Sequence, residues 1–258
     1  MVITSADVEQ FQQHGYLILE NVIPPPLLAD LQLECERNLK MQLADMERVG
    51  AQTLGLSHRD QRHFLPDRFH ESTALTGFLF GDIVSAIIAP LIGRDAWLFL
   101  ELFVVKCPHS GLPFGWHQDG GYLMGNPHKP YVTLWCALDD MTADNGALCV
   151  LPYDRADSRD VVEHVKDKLS NDLVGYHGDD AGVTLTVPKS SIIVLASNVF
   201  HYSGSNTTDA HRRAYLASFS PEPITDRKGR LWNLAVPVLK NGVAIAPPVR
   251  EACGVASG

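Results

Sequence analysis

Between residues 96 and 220 the chain is written in short apolar runs, rich in aromatic and β-branched residues and separated by Gly, Pro, Asn and Asp. Such runs are too short for typical helices, and side chains of this shape pack well on a pleated surface, so they are expected to be strands. They fall at 97–106, 131–138, 147–151, 183–187, 191–196 and 214–220. Strands at this spacing favour an antiparallel sandwich, jelly roll or barrel. A helix is expected near 157–169, and an irregular stretch over 171–180.

The first ninety or so residues have a different texture. Ser5-Ala6-Asp7-Val8-Glu9 opens a short helix that Gly15 stops, and Tyr16-Leu17-Ile18-Leu19 reads as a strand. After Pro24-Pro25-Pro26, the residues Leu27, Leu28, Leu31, Cys35, Leu39 and Leu43 keep a helical spacing as far as Gly50, which predicts one long amphipathic helix. Residues 52–70 lose periodicity and gather His58, Arg59, Arg62 and His63, so a long loop with a solvated cationic face is expected there, of the kind that serves as a lid. Residues 82–92 return to helix. A chain of 258 residues, 45% hydrophobic, can close one large core. We expect a single domain: 1–95 as mainly helical support and lid, 96–222 as the β core, and 223–258 as a C-terminal extension.

The charge balance excludes some partners. Thirty acidic against 21 basic residues give a net charge of −9, the wrong sign for a general nucleic-acid surface. Five cysteines without CxxC spacing suggest neither a disulfide framework nor a zinc ribbon. No basic leader precedes an apolar run, and no segment is expected to reach the roughly 18 apolar residues that a membrane span needs. The expectation is a soluble, cytoplasmic protein, monomer or homodimer, acting on a small molecule.

Chemistry concentrates in Trp116-His117-Gln118-Asp119. In extended chain a His-x-Asp pair sends both ligating side chains to one face. His201, after the apolar run 192–196, is the candidate third ligand, and two histidines with one carboxylate form the facial triad of non-heme iron sites, with coordination positions left open. If the chain is extended at His201, Ser203 shares its face. Arg212 and Arg213 precede the last strand, and only one of them can point inward. An inward guanidinium implies either a carboxylate-bearing ligand or a structural acid. Phe114, Tyr122 and Met124 flank the His-x-Asp segment as a candidate apolar wall, and Lys106 could point into the site from the strand before the motif, although an outward, solvated lysine is the commoner case.

These residues resemble the phytanoyl-CoA dioxygenase family of Fe(II)/2-oxoglutarate oxygenases. The likeness runs from Phe11-Gln12-Gln13-His14-Gly15-Tyr16-Leu17-Ile18-Leu19 through the His-x-Asp segment and Asp144-Asn145-Gly146-Ala147-Leu148 to the His201–Arg212 spacing. It implies a double-stranded β-helix, a cupin-like jelly roll, with a helical N-terminal part. It also implies Fe(II) held by His117, Asp119 and His201, and the distal carboxylate of 2-oxoglutarate held by Arg212 with Ser203. Trp135 would lie beside the co-substrate, and Thr133 shares its predicted strand face. The implied reaction consumes O2 and 2-oxoglutarate, releases succinate, and hydroxylates a C–H bond of a small organic or natural-product substrate. Desaturation, epimerisation or cyclisation by the same oxidant stay open, as do a non-oxygenase jelly-roll metal protein and a 2-oxoglutarate sensor. Pro152-Tyr153-Asp154-Arg155 stands where relatives often carry Pro-Gly-Ser-His, so the substrate wall differs, and a mixed pocket for an organic acid or natural product is expected. The carboxylate of Asp119 argues against halogenation, which needs a small residue there.

Overall fold

The computed structural model describes residues 2–109, 112–123, 128–226 and 228–247. Helix α1 (Ser5–His14) opens on a reciprocal cap between Thr4 and Asp7 and ends at Gly15, whose φ of 80° suits glycine. Strand β1 (Tyr16–Leu19) follows, then α2 (Pro25–Val49), which buries Leu28, Leu31, Cys35 and Met46.

Residues 52–70 depart from the expected loop. They form a meander of β2 (Thr53–Leu54), β3 (Ser57–His58) and β4 (Arg62–Pro66), and β4 lies along β5 (Ala96–Lys106) over its whole length. The polar residues hide a period of two. Arg62 and Phe64 face an internal cavity, while Leu65 enters the core beneath the helices and His63 meets Gln42 of α2 at 2.6 Å. Arg62 is fully buried, so the expected solvated cationic face does not exist at this residue.

Residues Thr73–Ile92 are, by length and composition, apolar enough to cross a membrane, contrary to expectation. They fold as two helices, α3 (Thr73–Leu79) and α4 (Asp82–Ile92), broken at Phe80 and Gly81, and bury Leu75, Phe78, Val84, Ile87 and Ile88 in the main core.

The remaining strands are β6 (Phe114–His117), β7 (Val132–Ala137), β8 (Leu148–Leu151), β9 (Val165–Lys166), β10 (Leu173–Val174), β11 (Val183–Thr184), β12 (Ile192–Ala196), β13 (Phe200–Ser203), β14 (Arg212–Ser220), β15 (Val236–Lys240) and β16 (Val243–Ala244). The major sheet runs β1-β12-β7-β14-β5-β4-β3-β2, with β15 also paired to β5; the minor sheet runs β11-β8-β13-β6. Every pairing is antiparallel. The two sheets make the expected jelly roll, with helices on the outer face of the major one.

Strand alternation explains the continuous apolar runs. In β12, Ile192 and Val194 point into the helix-side core, while Ile193 and Leu195 point between the sheets. A strand covered on both faces has no polar side, and each fully buried aliphatic side chain contributes roughly 1.5–3 kcal/mol.

No helix forms near 157–169. Backbone groups that a helix would pair internally are taken by Gln118: its side chain receives the Val162 N–H at 3.0 Å and donates to the Asp160 carbonyl at 3.0 Å. The four described cysteines are buried and free, and Cys253 lies outside the described residues.

Candidate active site

β6 and β13 are paired so that His117 and His201 stand directly opposite each other. Asp119 opens the 3-10 turn Asp119–Tyr122 just beyond β6. That turn packs closely against its surroundings: a Cβ at Gly121 would come within 2.3 Å of the His164 ring. Asp119 Oδ1 therefore lies 3.7 Å from His117 Nε2 and 3.6 Å from His201 Nε2, with all three candidate ligand atoms within 4.8 Å of one another. One ion with bonds of roughly 2.0–2.2 Å can span such a group.

The donor set suits a divalent metal for a further reason. His117 Nδ1 is 2.8 Å from the Gly115 carbonyl and His201 Nδ1 is 3.2 Å from the Val199 carbonyl. Each carbonyl accepts only if Nδ1 carries the proton, which leaves both Nε2 lone pairs aimed at Asp119. Burial first, then neighbouring His117, pulls His201 down to about 4, so its ring is neutral near pH 7. Burial pushes the Asp119 carboxyl up, but the neighbouring His117 and His201 rings and the Thr133 hydroxyl outweigh that and hold it at about 2. Thr133 on the facing sheet donates to Asp119 Oδ2 at 2.7 Å and sits 3.0 Å from the Ser218 hydroxyl.

Gln118, between the ligand candidates, points away from them as the alternation predicts. It is fully buried, and besides Asp160 and Val162 it bonds the Asn198 carbonyl at 2.7 Å. That amide ties the His-x-Asp turn to the start of the His201 segment.

All seven predicted site residues line one cavity of about 280 Å3: His117, Asp119, His201, Arg212, Ser203, Trp135 and Thr133. Arg212 points inward and Arg213 outward, where Arg213 pairs with Asp139 and Glu36 at 2.7 and 2.8 Å. Arg212 is buried above the Trp135 ring, 5.4 Å from its centre, and donates from Nη2 to the Gly146 carbonyl at 2.8 Å. Its Nε and Nη1 are buried without a partner. Burial pulls the guanidinium down to about 10, which leaves it charged at neutral pH.

Two cationic residues line the cavity where the favoured sequence reading had them solvated. Lys106 is buried rather than outward, and its ammonium bonds the Ser203 and Gly204 carbonyls. Burial, then Arg212 and Arg62, depresses it well below the ordinary lysine value. Arg62 pairs with buried Asp172. The register makes Arg62, Lys106 and Arg212 immediate neighbours across β4, β5 and β14. An alternation count along β5 from any inward residue would have found Lys106. Phe114 and Tyr122 do line the cavity, whereas Met124 lies outside the described residues.

Fold and site together define a jelly roll whose cavity is lined by a two-histidine, one-carboxylate cluster and a partly unpartnered arginine. The family model for phytanoyl-CoA dioxygenase matches residues 11–214, and the chain belongs to that family. Among its relatives, phytanoyl-CoA dioxygenase domain-containing protein 1 of Mus musculus is 26% identical over 158 residues, covering 58% of this chain and 52% of that protein. A 2-aminoethylphosphonate dioxygenase from an uncultured bacterium is 26% identical over 146 residues, covering 57% and 54%. The chain thus spans about half the length of these curated relatives. The epimerase SnoN, solved with Fe3+, α-ketoglutarate and nogalamycin RO, superposes with a TM-score of 0.66 at 16% identity over 95% of both chains, a likeness of fold.

Proposed function

We propose that this protein is an Fe(II)- and 2-oxoglutarate-dependent dioxygenase that hydroxylates an unactivated C–H bond of a small organic substrate. The observation that carries the reading is the pairing of two unsatisfied features in one cavity: a cluster of two histidines and a carboxylate whose ligand atoms converge, and a buried arginine with Nε and Nη1 unpartnered. A structural or hydrolytic zinc site would account for the first and leave the second as an uncompensated cost.

In this reading His117, Asp119 and His201 hold the ferrous ion, and Arg212 receives the distal carboxylate of 2-oxoglutarate. Bound together, iron, 2-oxoglutarate and O2 supply the oxidant, with succinate and CO2 as co-products. The chain's own part is positioning. The Gly115 and Val199 carbonyls orient the two rings, Thr133 orients Asp119, and Lys106 and Ser203 flank the carboxylate end. Apolar walls limit water, so the charge-assisted bonds to Arg212 form in a low-dielectric setting. The family resemblance and the ligand-bound SnoN fold support the assignment of metal and co-substrate.

The test is anaerobic titration of the purified protein with Fe(II) and then 2-oxoglutarate. A weak visible charge-transfer band, saturating at one equivalent, is expected, with succinate formed on admission of O2. Absence of the band while zinc binds tightly would overturn the proposal. Product analysis then separates hydroxylation from epimerisation or desaturation.

A further inference from the structure

The cationic side chains of the cavity gather at one end, away from the Asp119–Thr133–Ser218 hydrogen-bonded group. Among the described residues its lining holds three cationic side chains, and their donors can be counted. Arg62 has five N–H groups, and all five are used: Nε on the Leu56 carbonyl, Nη1 on the Pro113 carbonyl and Asp172, and Nη2 on the Ser170 carbonyl and Asp172. Lys106 has one donor left after its two carbonyls, and Arg212 keeps its Nε and Nη1. Every cationic donor free for a ligand therefore sits at the Arg212–Lys106 end.

The register of β5 against β14 shows what lies away from that end. Starting from Lys106 opposite Arg212, the inward positions run Val104 opposite Ala214, Leu102 opposite Leu216 and Leu100 opposite Ser218. The floor passes from two cations to aliphatic side chains within one strand. Leu100, Leu102, Leu123, Leu216 and Phe114 are only partly buried, and the surface they leave open faces the cavity.

Trp232 completes this apolar end. It is 44% exposed and lines the same cavity, although it belongs to the C-terminal extension. Its segment is held in place: Trp232 N–H donates to the Ile224 carbonyl at 2.9 Å, Thr225 bridges Leu231, and Leu234 N–H donates to the Phe99 carbonyl of β5 at 3.1 Å. Ile224 is buried with Phe99 and Tyr131. A large aromatic surface anchored beside a cavity mouth and left partly wet points to a ligand that covers it.

We propose that the substrate group presented to the metal cluster is uncharged and predominantly apolar, and that Trp232 is a specificity-determining residue that packs on it. Of the organic acid or natural product expected from sequence in a mixed pocket, this favours an uncharged natural-product-like group at the metal. It rests on the dioxygenase reading for where the chemistry occurs, since the Arg212 end is taken by the co-substrate. A zwitterionic or phosphorylated substrate would find no free cationic donor among the described residues at the apolar end.

The test uses the full chain, saturated with Mn(II) and 2-oxoglutarate, and three probes of one shape: 2-naphthol, 2-naphthoate and 2-naphthyl phosphate. Probe fluorescence reports binding. We expect 2-naphthol to bind at least tenfold more tightly than either anion, and Trp232→Ala to weaken it roughly three- to tenfold, the range of one lost aromatic contact, with 2-oxoglutarate affinity unchanged. Equal or tighter binding of an anionic probe to the wild-type protein overturns the inference, and needs no variant. So does a Trp232→Ala protein that folds and binds 2-naphthol as the wild type does. Naphthol binding as expected, without succinate formation under Fe(II) and O2, would sink the dioxygenase reading and leave the apolar pocket standing.

Discussion

Replacing Arg212 by Met should move binding and stability in opposite directions. Met keeps much of the side-chain volume over the Trp135 ring but removes the charge and every donor. In the free protein Arg212 is a buried guanidinium with one carbonyl partner and Nε and Nη1 orphaned, so its removal relieves a desolvation cost. We expect the Tm of the ligand-free variant to equal or exceed that of the wild type, by a few degrees if about 1 kcal/mol is recovered. Co-substrate binding should suffer instead. A carboxylate gripped by two charge-assisted bonds, each worth about 1.5–3 kcal/mol, loses at least about 3 kcal/mol, a weakening of roughly a hundredfold or more in Kd. Anaerobic calorimetry with Fe(II) and 2-oxoglutarate measures the second effect, and thermal denaturation the first. Arg213→Met is the control: it breaks the pairs with Asp139 and Glu36 on the outer face and should cost stability while leaving Kd unchanged. A hundredfold loss in Arg213→Met, or a Kd within threefold of wild type in Arg212→Met, refutes the reasoning.

Thr133→Val removes the hydroxyl that steadies Asp119 and should weaken metal affinity about 10–100-fold, read by competition with a metal indicator; an unchanged affinity would mean that Asp119 needs no such support. Arg62→Met leaves Asp172 buried and uncompensated, and should cost about 3–5 kcal/mol in urea denaturation, with a smaller cost when Asp172→Asn is added to it. Glu101 is buried, accepts from the Arg68 and Phe69 backbone N–H groups, and is raised above the usual carboxylate value, chiefly by burial. Its contribution is complete below the unfolded-state value and is lost as pH rises through the higher folded one. The Tm difference between Glu101→Gln and wild type should therefore shift in favour of Gln from pH 4 to pH 8, and a pH-independent difference would refute this.

The parts of this fold legible in sequence are those where one face decides the pattern. The alternation in 191–196 and 214–220 predicted both strand positions and the opposed directions of Arg212 and Arg213. The two-residue period placed His117 and Asp119 together, while the arrival of His201 depends on the β6–β13 pairing, which no local pattern encodes. What escaped was decided by partners remote in sequence. Arg62 and His63 read as a wet loop because the groups that make a buried strand tolerable, Asp172 and Gln42, lie 110 and 21 residues away. The helix expected at 157–169 lost to Gln118, whose amide competes for the same backbone groups. Lys106 reads as solvated in sequence because most lysines are, and the carbonyls of Ser203 and Gly204 that accept its protons come from the end of β13, almost a hundred residues later.

The cationic end of the cavity has one more consequence. A guanidinium beside an ammonium recognises a terminal carboxylate and is blind to what the rest of that molecule carries. In the proposed reaction the spent co-product, succinate, keeps the very group by which its parent was seized. Discrimination between fuel and ash then falls to the other end, where only a keto acid can chelate, and succinate accumulating around the protein should act as a competitive brake.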